Sequence, residues 1–582
     1  MIVLRFITLC LRSDPRRSTF ALALLIVSAG AETMGLLVLG ALVDRAGLDG
    51  AEALTAGPFA WAARVLGWAP GLGGVLALLV AALLLRAAIA FAYGGVAARI
   101  SANLLHRLRM RLYDAVAAAK WTAVSGLRRN ELHHALSMAP MRLAMGADMA
   151  LRFAMALVTV AVAGLLALSV DPGLVGMVAL IALVIAVPMI WFDRRIARGS
   201  RHVFRDTQRL FDHVARYLDN LKLDRFQSAR GTGVSQFAHA SAAQAEMSRN
   251  VEMISQRSAL VRQAGGALGL GAVIWAGAAR GMSPAEAALI VVLFLRLLPR
   301  LFSAHALLQE LIGAGAAFDE YDAQVRGYAN AAEPRSPARA AQGAAEIVAQ
   351  GVTFRWPGAD QPALRGVSLR LAPGQATGLI GLSGAGKTTL ADLLCGLSSP
   401  ESGRVLVDGQ VLTPDALHGW RGQVALVSRD DFLIPDTLRA NLLMGAEAGD
   451  DALWRALDIV GFADQIRARG GLDTPIGDRG DGLSAGQRQR LCLARGIVQR
   501  PRLLVLDEAT SAMNPVDEAA IAGRLADLRG DATILIIAHR LSSIAWVDQV
   551  AALEAGRLVE AGPRDSLTGD GFLARMAAAG GG

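Results

Sequence analysis

Gly381-Leu382-Ser383-Gly384-Ala385-Gly386-Lys387-Thr388-Thr389 follows the apolar run 377–380 and opens a segment, 390–397, with helical character. Strand, glycine loop and helix in that order make a phosphate cradle, because glycines let successive backbone N–H groups converge on an anion at a helix N-terminus. Within it Lys387 is placed to reach the β- and γ-phosphates, and the Thr388 hydroxyl to ligate Mg²⁺. A glycine-rich turn ending by chance in Lys-Thr is the competing account, and composition weighs against it. The chain has 58 Lys+Arg, of which only Lys120, Lys222 and Lys387 are lysines. A lysine here is therefore a chemical requirement, not a default base.

The rest of the composition sets the cradle in a larger machine. The 582 residues are 53% hydrophobic, with a mean hydropathy of +0.40, too apolar for an ordinary soluble enzyme of several domains. A net charge of +8 could suggest nucleic acid, but few aromatics lie among the arginines and long uncharged runs separate them. The partner expected is a lipid bilayer, not nucleic acid. Cys10, Cys395 and Cys492 are widely spaced without a CxxC pair, and read as reduced packing residues.

Apolar runs at 19–43, 75–96, 153–170, 174–192, 263–279 and 284–303 predict six spanning helices. The first reads as uncleaved, since it continues past the small residues 28–31. Ser283-Pro284-Ala285-Glu286 is a helix start, with a capping serine and Pro in the first turn. Residues 1–18, 97–152 and 193–262 hold 4, 9 and 13 Lys+Arg, whereas the alternate connections hold only Arg45, Arg64 and Arg280. Both termini and both long loops are thereby expected in the cytoplasm of a multi-pass inner-membrane protein. Helical spacing in the loops, as at Leu104, Leu108, Leu112 and Val116, predicts that they extend the spanning helices. Glu32, Arg86 and Arg296 fall inside apolar runs and are expected to face the interior, paired or lining a cargo cavity.

Residues 326–343 are small and polar with two prolines and read as a linker, dividing a transmembrane domain, 1–325, from a C-terminal domain, 344–582. In that domain short apolar runs alternate with helical segments, which predicts an α/β nucleotide-binding fold. The runs 503–506 and 533–538 read as buried parallel strands ending in Asp507-Glu508 and in His539. Phosphoryl transfer to water needs a metal on the β- and γ-phosphates, a carboxylate for the metal and a base for the water. Asp507 suits the metal, Glu508 the base, and His539 a γ-phosphate contact.

With these residues in place the chain resembles the half-transporters of the ATP-binding cassette (ABC) exporter family: an all-α transmembrane domain of six helices followed by an α/β P-loop nucleotide-binding domain. Leu483-Ser484-Ala485-Gly486-Gln487 is similar to the family's Leu-Ser-Gly-Gly-Gln signature, departing at Ala485. The resemblance implies an adenine stacked on Trp356, ATP and Mg²⁺ as cofactors, and residues 511–514 crossing a dimer seam, with Asn514 where aspartate is usual. It further implies ATP-driven export or flipping by a dimer in which each ATP is held between one chain's phosphate loop and the other's signature segment. A second half-transporter chain is thus required, a homodimer being favoured over a heterodimer. Residues 121–136 and 217–225 resemble the coupling regions of the two loops. Fold does not fix cargo, and an amphipathic peptide or lipid-like compound is expected. The departures leave an alternative, a catalytically impaired or regulatory subunit that needs a more active partner.

One further departure concerns Arg429, which stands where the family carries a glutamine near Mg²⁺. A guanidinium has no acceptor and cannot ligate a cation, so Arg429 is expected to turn from the metal toward Asp430, Asp431, Asp219 or Asp224.

Overall fold

The computed structural model describes residues 2–28, 30, 72–126, 129–170, 172–219, 232–279, 284–334, 343–428, 432–477, 480–538 and 541–566. Glu32, Arg429 and His539 lie outside them, as do most of the first expected span and of the second coupling region. The chain forms two compact units: Met1–Ala117 with Leu127–Asn330, and Ala118–Gly126 with Ala331–Gly582.

The first unit is helical. Long helices at Leu72–Ala118, Arg129–Val170, Pro172–Asp219, Thr232–Ala279 and Pro284–Asn330 each contain one of the expected spans and run on through the basic connections. Among the described residues, Leu76–Ala118, Ala135–Val162, Val234–Ala276 and Leu297–Asn330 are long and apolar enough to cross a membrane. Pro172–Asp219 packs along Thr232–Ala279, and Arg129–Val170 along Pro284–Asn330. The helical spacing at Leu104, Leu108 and Leu112 is a buried stripe, joined by Phe6 and Cys10 of the N-terminal helix Ile2–Ser13 and by Leu143, Leu311 and Tyr321. Within this core the Tyr321 hydroxyl donates to the Leu108 carbonyl at 2.8 Å, so burial of the phenol leaves no unmade bond there.

The second unit is α/β. A six-stranded sheet has the order β10-β9-β3-β8-β7-β6, where β3 is Ala376–Gly381, β6 Val424–Val427, β7 Leu503–Asp507, β8 Thr533–Ile537, β9 Gln549–Glu554 and β10 Arg557–Pro563. β6, β7, β8, β3 and β9 pair in parallel, and β10 antiparallel on β9. A four-stranded antiparallel sheet, β2-β1-β4-β5, is built from β1 Ile347–Phe354, β2 Leu364–Leu371, β4 Ser402–Val407 and β5 Gln410–Val411. The larger sheet is covered on both faces. Leu503 and Val505 enter the core shared with the antiparallel sheet, while Leu504 and Leu506 enter the core shared with the helices Asp450–Ile459 and Ala485–Val498. Burial on both faces is why these strands read in sequence as unbroken apolar runs.

All three cysteines are buried free thiols, in the packing role expected of them, and burial pushes the Cys395 thiol pKa up. Residues 118–126 belong to this unit because Lys120 N–H donates to the Ala331 carbonyl at 2.9 Å and Glu333 N–H to the Ala118 carbonyl at 2.7 Å. The Glu333 carboxylate then forms a bidentate pair with Arg421, which also donates to the Gly396 carbonyl at 2.7 Å.

Candidate nucleotide site

β3 leads straight into the phosphate loop, and the helix Lys387–Leu394 leaves it. That helix starts three residues before the position expected from the sequence. Gly386, at φ +100°, is its N-cap, and a left-handed residue there lets Lys387 enter the first turn directly. A Cβ on Gly386 would lie 2.7 Å from the Ala363 carbonyl oxygen, and one on Gly381 would lie 2.3 Å from that of Leu553. Two of the three loop glycines are therefore demanded by close backbone approach. The cradle they shape holds Lys387, a residue 6% exposed, whose ammonium donates to the carbonyls of Gly381 at 2.8 Å and Leu382 at 3.1 Å. Burial lowers the Lys387 pKa, and the nearby Glu508 and Asp507 charges oppose that shift.

The parallel order brings the chemistry to one edge. β8 lies between β3 and β7, with Asp507 in register with Ile537, so the ends of all three strands are neighbours. Thr388 Oγ1 donates to Asp507 Oδ2 at 3.3 Å, the pair expected to share Mg²⁺. A hydroxyl beside a carboxylate is a hard-oxygen donor set, and with phosphate oxygens and water it fits that ion. Glu508, at φ +52°, follows at once, its N–H donating to the Ile537 carbonyl at 3.2 Å. A non-glycine residue in this region costs on the order of 1–3 kcal/mol and persists only where its surroundings impose it. Trp356 packs edge to face on Phe354, centroids 5.1 Å apart, and its Nε1–H donates to Thr389 Oγ1 at 3.2 Å, which anchors the ring beside the loop helix.

The signature segment is a helix start. Ser484 caps Ala485–Val498 by accepting from Gln487 N–H at 3.3 Å, and the Gln487 side chain accepts from Ser484 N–H at 3.0 Å. Ala485 occupies the first helical position without a positive φ, so glycine is not needed there for backbone reasons. Exposed N–H groups at this terminus can receive an anion. Asn514 is likewise a cap, of Pro515–Ala526: Oδ1 accepts from Asp517 N–H at 2.8 Å while Nδ2 donates to Asp517 Oδ2 at 2.8 Å. An aspartate could accept but not donate, and would face the Asp517 carboxylate, which accounts for asparagine at this position. Within residues 121–136 lies a short helix, Trp121–Val124.

Sequence reading passed over several polar residues at this site. Gln489 and Glu518 sit on helix faces that are otherwise apolar, and no local pattern distinguishes them. Asp392, on the phosphate-loop helix, is another: burial and then the Asp507 charge raise its carboxyl pKa to about 6. The native state thus holds that proton more tightly than the unfolded chain. The resulting stability is fully present below about pH 4, declines as pH rises toward 6 and is absent above it. In magnesium-free buffer, Asp392→Asn should raise the thermal midpoint by about 2 °C at pH 7.5, with the difference vanishing near pH 4. An equal difference at both pH values would contradict the assignment.

Residues 364–511 match the family model described as "ABC transporter". Proteins described as "ATP-dependent lipid A-core flippase" are 41% identical over 244 residues in Burkholderia orbicola (strain AU 1054) and 42% over 229 residues in Thiobacillus denitrificans (strain ATCC 25259 / T1). These alignments cover 42% and 39% of this chain and 41% and 40% of the relatives, so the chain is matched to about two fifths of their length. Across 97% of this chain and 99% of the other, the fold is similar to that of a bacterial Atm1-family ABC exporter with ATP bound, at a TM-score of 0.81 and 23% identity.

Proposed function

We propose that the protein is an ATP hydrolase that drives export or flipping of an amphipathic molecule across the cytoplasmic membrane, as a dimer alternating its access; residues 364–511 match the ABC transporter family model, and the fold is similar to that of an ABC exporter. The observation that carries this reading is the convergence of Lys387, Thr388, Asp507 and Glu508 at one sheet edge, in a chain whose other unit is built of long apolar helices. On this reading residues 1–325 are the transmembrane domain, 326–343 the linker and 344–582 the nucleotide-binding domain, with both termini cytoplasmic.

In the site, Gly381–Gly386 and Lys387 hold the phosphates, Trp356 stacks on the adenine, and Thr388 and Asp507 orient the metal. Held by Thr388 and Asp507, Mg²⁺ would supply neutralisation of the charge on the nucleotide phosphates. Glu508 takes the proton of the attacking water, and His539 contacts the γ-phosphate. Leu483 to Gln487 present N–H groups to the nucleotide of a second chain, and a homodimer is the simplest way to complete both sites. The relatives' names favour a lipid-like cargo over a peptide. The retained Glu508 speaks against the alternative of an impaired subunit.

Reconstituted into liposomes carrying a fluorescent lipid A probe, the protein should move probe between leaflets with ATP and Mg²⁺. Movement that is the same without ATP would end the transport reading, and stimulation of the ATPase by peptides alone would replace the lipid.

A further inference from the structure

Two buried polar residues outside the nucleotide contacts converge on the segment that carries Glu508. Gln489 is 2% exposed and Glu518 9%. From the signature helix, Gln489 donates through Nε2 to Ser511 Oγ at 3.3 Å and accepts through Oε1 from Ala512 N–H at 2.9 Å. From the following helix, Glu518 Oε1 accepts from the Thr510 hydroxyl at 2.8 Å and from the Ser543 hydroxyl at 2.6 Å. With the Asn514 cap, residues 510, 511, 512 and 514 are each tied by a side chain.

We infer that Gln489 and Glu518 are positioning residues that brace segment 508–514 between the signature helix and the residues that follow β8, and so hold Glu508 where the reaction needs it. The inference rests on the ATPase reading given above. Three observations converge on it. Glu508 occupies a left-handed backbone conformation that a free segment would relax, so something nearby must impose it. Glu508, Thr510, Glu518, Ser543 and Trp546 border a cavity of about 100 Å³, which gives the segment room to move once a bond is lost. And one carboxylate oxygen joins the segment after β7 to Ser543, in the turn Leu541–Ile544 that follows β8, so the two connections share one tie. Charge-assisted bonds to a buried carboxylate suit this task, being both short and costly to leave unmade.

The test uses the purified full-length chain with Glu518→Leu, Glu518→Gln, Thr510→Val and Ser543→Ala. Hydrogen exchange of amides 508–514 is measured without nucleotide, and kcat and KM with MgATP. Glu518→Leu should exchange at least about tenfold faster and lose about tenfold in kcat, the worth of one charge-assisted bond, with KM unchanged. Glu518→Gln keeps an acceptor oxygen and should recover most of both, with Thr510→Val and Ser543→Ala in between. Parental exchange in Glu518→Leu, or equal losses in the Leu and Gln variants, would overturn the inference. Should Glu518→Leu fail to fold, the two hydroxyl variants carry the same comparison against Glu518→Gln. A parental protein without ATPase would remove the reading beneath, while the exchange data would still decide the brace.

Discussion

Glu508→Gln protein should bind ATP with near-parental affinity and hydrolyse it at least about 100-fold more slowly, the lower end of what a positioned general base contributes. An amide has nearly the shape of the carboxylate but cannot take a proton from water, so the cradle formed by Lys387 and the loop stays intact while the step that needs a base is lost. Glu508 is half-buried just past the end of β7, next in the chain to the Asp507 that pairs with Thr388, with its backbone in the left-handed region. The check is release of labelled phosphate in a single turnover, alongside equilibrium binding of ATP. Because binding without turnover keeps the two nucleotide domains closed on ATP, the variant should also retain bound ATP through gel filtration in the presence of Mg²⁺. Turnover at the parental rate would show that another group is the base, whereas a parental protein as slow as the variant would favour the impaired-subunit alternative.

Lys387→Ala should weaken ATP binding by about 10- to 100-fold, as expected for the loss of a charge-assisted bond of ~1.5–3 kcal/mol. Two things are lost at once. The ammonium that would meet the β- and γ-phosphates is gone, and so are the donations that hold the Gly381 and Leu382 carbonyls in the loop. Lys387→Arg separates these effects: it keeps the charge but must fit a planar fork into a cradle whose walls are backbone carbonyls. Arginine elsewhere serves this chain as its common base, so failure of Arg to rescue binding would show that the compact ammonium is what the site selects. Parental affinity in Lys387→Ala would refute the phosphate contact.

Much of this protein was determined by local sequence. The phosphate loop was legible because its glycines answer to backbone geometry a few residues away, and the apolar runs because long helices in lipid and strands buried on both faces leave no polar position to interrupt them. The departures at Ala485 and Asn514 were legible as departures, but not the local geometry that accommodates them. It took the observed caps to show that the first helical position at Ala485 needs no glycine, and that Asn514 donates to a carboxylate three residues on. The start of the phosphate-loop helix at Lys387, rather than three residues later, followed from one left-handed glycine. Only tertiary structure could place Gln489, Glu518, Asp392 and the Glu333–Arg421 pair, because each acts on partners 8 to 88 residues distant in the chain or through burial that no local pattern encodes. Local sequence specifies which groups are available at the end of each strand. Strand order and helix packing decide which of those groups meet, since a polar side chain on an apolar helix face acquires a role only from what the fold sets opposite it.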